Sequence, residues 1–338
     1  MSKSVFGKII LTSPVTHGAL TPELVDKKNG GGRGNITLIR RIPVYDRVSR
    51  QYLDIPAISG NSVKNSTRRL YMSKIFERLG ITLAAKIPLD VEYLFFAGGL
   101  TTNKQPEPPS QDVYLTLRRD LPFFDLLGGS YKGHYFSSQM IVGFVVPALQ
   151  ETIHLYPELA AFLNDDEILA TSTLTGAIRN NLLGYNKVAL EGTRGEIGQN
   201  NGDDETKEKG GTIYFTEAIP AGTVMMHKFS LRSGVSALTE AAFYAFLQVF
   251  LEEGKLGGGI SKGHGDFKAV YYENNHELDM SEIGRRAKPF WDYIENEKEK
   301  VIARIKGIPE LLQEKDKKNN GKKSKKDKEK DNSQEGDA

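Results

Sequence analysis

The stretch Lys255-Leu256-Gly257-Gly258-Gly259-Ile260-Ser261-Lys262-Gly263-His264-Gly265-Asp266-Phe267 decides how the chain folds around it. It follows a strongly apolar helical pattern, Thr239 to Glu253, and it leads into a strand-like run, Phe267 to Tyr272. Gly254 stands where the left-handed residue that ends a helix belongs. The stretch is therefore predicted to be a loop between a core helix and a strand.

The composition of this loop indicates a large anionic ligand. Glycine carries no side chain, so a glycine-rich backbone can approach another molecule closely. Lys262 and His264 lie among these bare amides. A phosphate loop would need a Lys-Ser or Lys-Thr pair after a glycine, and a dinucleotide fingerprint would need glycine at position 262. Neither spacing is present, which favours a polyanion backbone over a bound nucleotide.

The composition of the whole chain is that of a globular protein with one large domain or two ordinary ones. It has 338 residues, of which 39% are hydrophobic and 26% are charged. Without an apolar run long enough for a bilayer or a signal-like N-terminus, it is expected to be cytoplasmic and to have no membrane partner. The absence of cysteine excludes disulfides, thiol nucleophiles and Cys-ligated metals. The histidines lack metal-ligand spacing, so neither a cofactor nor a metal is expected.

Positive charge is concentrated although the net charge is only +2. Basic residues gather at Lys27 to Arg50, at Lys64 to Lys74 and in the C-terminal tail. Strips of this kind suit a surface that follows phosphates, or they are ordinary solvated faces. The tail from Lys315 is Lys-rich and lacks aromatic residues, which predicts disorder.

The order of elements predicts an α+β fold with an antiparallel sheet, RRM-like or ferredoxin-like, and helices on one face. Strands are expected at 5–12, at 36–45, at 140–146 and on both sides of a turn at 220–222. Insertions are expected at about 96–120 and 174–215. The second insertion has β-compatible flanks and an acidic, polar middle, typical of a long hairpin or of a disordered segment. The domain is expected to span 1–305, followed by a disordered tail, 306–338.

A second motif begins at Ser59 and continues into a helix that ends before Gly80. Ser59, Asn61 or Ser62 can accept the first amide hydrogen bonds of this helix. Lys64 and Arg68 are four residues apart, so both are predicted to reach one phosphodiester path. A helix N-terminus with cations beside it favours anionic ligands.

Four stretches, in this order along the chain, resemble the RAMP proteins of CRISPR systems. The run from Ile55 to Arg69 resembles the family's "IPGSSLKGALR" element, and Leu126 to Ser130 resembles its "LFGS" turn. Tyr214 to Thr223 is similar to the "E-x-x-P-x-G-T" hairpin, and Leu256 to Gly265 is similar to the "LGG…SRGFG" signature. Where that signature is commonly aromatic, this chain has His264.

The resemblance implies the backbone subunit of a multi-subunit effector complex, most like the type IV backbone subunit. Such a subunit binds guide (CRISPR) RNA, polymerises along it in a helical filament with other effector subunits, and presents its bases to target DNA or RNA. The insertion 174–215 would be its thumb hairpin. The expected RNA-binding residues are His17, Arg33, Arg40, Arg41, Ser59, Asn61, Ser62, Lys64, Arg68, Arg69, Arg179, Gly258, Gly259, Ser261, Lys262, Gly263 and His264.

Cleavage is the alternative to binding. Some relatives cut RNA with an acidic residue after the first strand, and Asp26 occupies a broadly similar place. It is otherwise an exposed surface residue beside two lysines, Lys27 and Lys28. His17 and His264 can form an acid–base pair for RNA cleavage if the fold brings them together. Otherwise one is a turn residue and the other a contact residue. A third hypothesis is an assembly protein whose glycines only permit tight turns.

Overall fold

A computed structural model describes residues 3–18, 35–81, 87–99, 109–170 and 214–312. Its helices are α1 (Gly60–Arg78), α2 (Leu89–Ala97), α3 (Gln111–Asp120), α4 (Pro122–Leu127), α5 (Ala237–Glu253), α6 (Met280–Asn296) and α7 (298–312). Its strands are β1 (Lys3–Leu11), β2 (Asn35–Thr37), β3 (Arg41–Asp46), β4 (Gln51–Pro56), β5 (Gly129–Tyr131), β6 (His134–Phe136), β7 (Met140–Val142), β8 (Val146–Pro147), β9 (Tyr214–Thr216), β10 (Val224–Leu231), β11 (Phe267–Glu273) and β12 (His276–Leu278).

The main sheet has six strands in the order β12-β11-β1-β10-β7, with β8 paired to β10. β1 runs antiparallel to β11, with Phe6 opposite Tyr272 and Leu11 opposite Phe267. Val5, Ile9 and Leu11 are buried, because alternate residues of a strand point to the same face. The predicted α+β fold with an antiparallel sheet is confirmed.

The chain divides into two compact units. The first contains residues 1–66, 141–230 and 250–280, and the second contains 67–140, 231–249 and 281–338. α1 and α5 each begin in one unit and end in the other. The expectation of one domain over 1–305 stays a prediction.

One face of the main sheet is covered by the segment 153–168 of the same unit. Phe162 stacks on Tyr272 of β11 with ring centroids 3.9 Å apart. Lys8 of β1 donates hydrogen bonds to Glu167 Oε2 (2.7 Å) and to the carbonyl of Phe162 (3.2 Å). This face is therefore occupied at these positions, where an RRM would stack bases.

The second unit is built around the aromatic core of α1, α5 and α6. Tyr71 is fully buried and lies 5.6 Å from Phe246 and 5.7 Å from Phe290 between ring centroids. Its hydroxyl donates to the carbonyl of Ala242 (3.1 Å). The helical prediction for 239–253 is confirmed, and Gly254 has the predicted left-handed φ of 58°.

Two strand predictions are corrected. The expected strand 36–45 is broken into β2 and β3, because the amide of Ile39 donates to Glu217 and that of Arg40 donates to the carbonyl of His17. The expected run 140–146 is broken into β7 and β8, because the amide of Val145 leaves the sheet and donates to the carbonyl of Ile58 (2.9 Å).

The two strands on either side of the turn 220–222 do not pair with each other, although the hairpin motif implied that they would. β9 pairs in parallel with β2, whereas β10 lies in the main sheet. The disordered tail was predicted to begin at residue 306, which is too early, because α7 continues to 312 with Ile308 and Leu312 buried. Most of the predicted thumb lies outside the described residues, as do 100–108 of the first insertion and 313–338 of the tail.

Candidate nucleic-acid interface

The segment Pro14 to Gly18 joins the elements that the sequence singled out. Thr16 exchanges two contacts with the glycine loop: the amide of Gly258 donates to the carbonyl of Thr16 (2.7 Å), and the Thr16 hydroxyl donates to the carbonyl of Gly258 (2.9 Å). The next residue, His17, accepts the amide of Ser59 at Nε2 (3.3 Å). Adjacent residues of one segment thus hold the glycine loop and the start of α1 in the first unit.

The glycines of the loop are required at specific points. Gly257 has φ 73°, and a Cβ there would lie 2.3 Å from the carbonyl oxygen of Thr16. Gly265 has φ 92°, and a Cβ there would lie 2.3 Å from the carbonyl oxygen of Leu256. Side chains at either position would push the loop away from its neighbours. The close approach that the sequence predicted is therefore, at these two positions, an approach to the protein's own backbone.

The outer part of the loop is open to solvent. A short 3-10 turn, Ile260–Lys262, is flanked by Gly259 and Gly263, both with left-handed φ. Ser261 and Lys262 are exposed on this turn. His264 is half-buried, and its Nδ1 is buried without a hydrogen-bond partner among the described residues.

The base of the loop is fixed by hydrogen bonds. Lys255 forms an ion pair with Asp266 across it. The amide of Asp266 donates to the hydroxyl of Ser13 (2.8 Å), and the amide of Phe267 donates to the carbonyl of Gly254 (2.9 Å). The loop is consequently a fixed projection of the first unit rather than a free linker.

The start of α1 is capped by Ser59, one of the three predicted candidates. Its side-chain oxygen accepts the amide of Ser62 (3.3 Å). Gly60 follows it, and a Cβ there would lie 2.1 Å from the carbonyl oxygen of Val142. Asn61 is exposed, whereas Ser62 and Lys64 are half-exposed on the first two turns.

His17 is held in its neutral form. Burial, followed by the charge of Arg40, lowers the pKa of its imidazole below the ordinary 6.5. Since Nε2 accepts the amide of Ser59, its lone pair is already used. This arrangement positions α1 and makes His17 a poor candidate for the base of an acid–base pair with His264.

Two arginines lie beside this segment, and their environments differ. Arg40 is half-buried, with its guanidinium 5.9 Å from the ring centroid of Phe144. Arg41 forms an ion pair with Glu217, a buried carboxylate that also accepts the amide of Ile39 (2.9 Å). Arg40 therefore contributes positive charge to the surface, while the charge of Arg41 is largely offset.

The predicted pairing of Arg68 with Lys64 on one accessible face is wrong. Only 3% of Arg68 is exposed. It belongs to the second unit, where its guanidinium donates to the carbonyls of Leu94 (3.3 Å), Leu127 (2.8 Å) and Gly128 (3.0 Å). Burial lowers the pKa of Arg68 to about 10. The residue joins the ends of α2 and α4 instead of facing a ligand.

The other predicted residues are distributed as follows. Arg69 is exposed and belongs to the second unit, whereas the segment Pro14 to Gly18 belongs to the first. Arg33, Arg179 and the alternative catalytic residue Asp26 lie outside the described residues. The first unit therefore brings together His17, Arg40, Arg41, Ser59, Asn61, Ser62, Lys64, Gly258, Gly259, Ser261, Lys262, Gly263 and His264.

Sequence reasoning missed two residues that organise this surface. Thr16 holds the glycine loop through its main chain and hydroxyl. Glu217 fixes the chain at Ile39 and Arg41. Glu217 had a usable signal in the sequence, because it is the acidic residue of the "E-x-x-P-x-G-T" hairpin motif.

In the ranges that the structure describes, no cluster of three or more His, Cys, Asp or Glu residues could hold a metal ion. Across those same ranges, no helix is long and apolar enough to cross a membrane.

Comparison with known proteins gives matches among solved structures. No family model and no curated protein matches the chain. A chain of a Type IV-B CRISPR complex is similar to it, with 18% identity, coverage of 82% of this chain and 93% of that chain, and a TM-score of 0.47. Csc2 of Thermofilum pendens is similar with 10% identity, coverage of 89% and 76%, and a TM-score of 0.34.

Proposed function

We propose that this chain is a RAMP-type subunit that binds guide RNA in a CRISPR effector complex and does not itself cut RNA. The single observation that carries the proposal is the segment Pro14 to Gly18. It holds the glycine loop through Thr16 and the start of α1 through His17. Two of the four family motifs thereby meet at one surface.

The chemistry of this surface suits a phosphate backbone. Lys262 is exposed on the loop and Lys64 is half-exposed on α1. Arg40 adjoins the segment Pro14 to Gly18, because its amide donates to the carbonyl of His17 (2.7 Å). Cations and a helix N-terminus attract phosphates without selecting a base. A guide must be held in this way, because its bases have to stay free for pairing.

His264 supports RNA in particular. Its buried Nδ1 has no partner among the described residues, and an unsatisfied buried polar atom is costly. A 2′-hydroxyl can both donate and accept a hydrogen bond. A ribose placed at the glycine loop would offer this imidazole its 2′-hydroxyl, a group that deoxyribose lacks.

The assembly follows from the same proposal. Copies of this chain would line up along one guide RNA, form a helical backbone with other effector subunits, and present the bases to target DNA or RNA. Within one chain, the segment 153–168 covers the sheet face at Phe162 and Lys8, and we place the RNA at the surface of Pro14 to Gly18 instead.

The test is to purify the full chain from cells that carry its CRISPR locus, extract the bound nucleic acid and sequence it. We expect RNA of defined length with repeat-derived ends, in oligomers of the chain. A ratio of absorbance at 260 nm to that at 280 nm that shows no bound nucleic acid would favour the assembly-protein hypothesis. Bound DNA, or RNA fragments of random sequence, would show only that a basic surface of the protein binds nucleic acid.

Cleavage is tested on the same particle. Matched RNA is incubated with it and a divalent metal, beside an Asp26→Ala variant. Intact RNA in both samples is expected. Cleavage by the wild type that Asp26→Ala abolishes would overturn the non-catalytic part of the proposal.

A further inference from the structure

The hairpin of β3 and β4 extends away from the proposed RNA surface. Its base adjoins Arg40 on one strand and Ala57 to Ser59 on the other, since the register pairs Arg41 with Pro56. Six residues of each strand then lead to the tip, which places the tip about 17 Å from the base. The hairpin therefore carries its tip well beyond the contacts described above.

The tip is rigidly built. Asp46 accepts the amide of Val48 at Oδ1 (3.0 Å) and the amide of Ser49 at Oδ2 (2.9 Å). Hydrogen bonds from Ser49, then from the two amides, lower the pKa of this carboxyl below its ordinary value. The carboxylate is thus used inside the turn, and 8% of the residue is exposed.

Large apolar side chains stand in solvent at this tip. Tyr52 is 75% exposed, Tyr45 is 43% exposed and Val48 is 93% exposed. The two tyrosines are directly opposite each other, with ring centroids 5.3 Å apart in an edge-to-face arrangement. The edge-to-face pair braces Tyr52, and three quarters of that residue stays exposed to solvent.

The charges at the tip favour a polyanion over a protein. Arg47 and Arg50 are exposed in the turn beside the rings. The nearest acid, Asp46, is buried in the turn, and the exposed Asp54 lies two pairs further from the tip than Tyr52, opposite Pro43. Open aromatic faces flanked by arginines are the combination with which proteins bind single-stranded nucleic acid.

We propose that the β3–β4 tip is a second RNA contact, in which a base stacks on Tyr52 and Arg47 meets an adjacent phosphate. This inference rests on the proposed function in one respect: its ligand is single-stranded RNA. The hairpin is distinct from the segment 174–215 that the family resemblance assigned to the thumb.

The experiment measures binding of a fluorescein-labelled oligouridylate to the full chain by anisotropy. Tyr52→Ala removes the ring, Tyr52→Phe keeps it, and Arg47→Ala removes the cation. Tyr135→Ala is the matched control, because Tyr135 is 78% exposed in the second unit. Light-scattering mass is recorded for each variant.

We expect Tyr52→Ala to weaken binding about fivefold or more, while Tyr52→Phe and Tyr135→Ala stay within about twofold of wild type. Arg47→Ala should reduce the dependence of affinity on salt. An unchanged affinity of Tyr52→Ala for the oligouridylate would overturn this inference and leave the proposed function standing. A fall in oligomer mass at unchanged affinity would overturn it by making the tip a protein contact. A wild type that does not bind RNA would overturn the proposed function as well.

Discussion

The amide of Ser59 donates a hydrogen bond to Nε2 of His17, and this 3.3 Å contact fixes the start of α1 against the segment Pro14 to Gly18. The residue before His17 exchanges hydrogen bonds with Gly258. Two motifs separated by nearly two hundred residues of chain are thus held by two adjacent residues. The histidine that the sequence offered as one half of an acid–base pair therefore positions the start of α1.

Loss of the His17 ring is expected to destabilise the fold. His17→Ala removes the acceptor of the Ser59 amide and should reduce the free energy of unfolding by about 1 kcal/mol. Urea unfolding followed by circular dichroism measures it, with His276→Ala as the control because His276 is exposed. Equal stability of the two variants would show that the contact contributes nothing.

Arg68→Ala is expected to act on stability rather than on RNA. Three buried carbonyls lose their donor, which should cost about 2–4 kcal/mol in the free energy of unfolding. The exposed neighbour Arg69 is the matched control, and Arg69→Ala should leave stability within about 0.5 kcal/mol of wild type. The folded fraction of Arg68→Ala should retain wild-type affinity for RNA.

Lys64→Ala should behave in the opposite way, with weakened RNA binding and a smaller salt slope at near-normal stability. A folded Arg68→Ala protein that binds RNA as poorly as Lys64→Ala would restore the predicted shared phosphate path and contradict the buried position of Arg68.

The glycine loop offers a matched pair of substitutions. Gly257→Ala puts a Cβ 2.3 Å from the Thr16 carbonyl oxygen at a left-handed φ, and should destabilise the protein by roughly 2 kcal/mol or more. Gly258→Ala meets Thr16 Oγ1 only at 3.6 Å and has no left-handed φ. Thermal unfolding should separate the two variants clearly. Similar melting temperatures would mean that the loop does not pack on Thr16.

Acid should destabilise the first unit through His227. Burial lowers the pKa of His227 to about 3, against an ordinary 6.5, and its Nδ1 lies 2.6 Å from the hydroxyl oxygen of the buried Tyr271. Below pH 6.5 the imidazole of His227 is protonated in the unfolded chain but stays neutral in the folded chain. Its contribution to the free energy of unfolding is therefore complete above pH 6.5 and is lost as the pH falls towards 3. The slope should approach about 1.4 kcal/mol per pH unit for this one group.

The measurement is the free energy of unfolding in urea at several pH values below 6.5. His227→Gln should reduce the slope, leaving the contributions of His17 and of carboxyls such as Asp120 and Glu167, whose pKa values are also lowered. His276→Gln should keep the wild-type slope. If His227→Gln and wild type lose stability in parallel, His227 is not the group responsible.

Local patterns predicted those parts of the fold that depend on local physics. The apolar period of α5, the left-handed Gly254 and the cap at Ser59 follow from periodicity and from capping chemistry. The separation of β2 from β3 does not, because Glu217 causes it from a distant part of the chain. Pairing partners of short strands are set by such distant contacts rather than by propensity.

The sequence predicted which motifs form the candidate site, but not which of their side chains are exposed. The glycine loop and the start of α1 were identified from composition and spacing. Arg68 was misassigned, because four-residue spacing shows that two side chains share a helix face but not whether that face is buried. The exposed tyrosines of the β3–β4 tip carried no recognisable motif, and they become visible only when their exposure is known.

The most direct test of the central claim is photo-crosslinking of a 4-thiouridine guide RNA to the full chain, with the crosslinked peptides identified by mass spectrometry. We expect crosslinks in the peptides that contain Pro14 to Gly18, Ser59 to Lys64 and Gly257 to Gly265. Crosslinks confined to the Lys-rich segment after 312, with none in these three peptides, would contradict it.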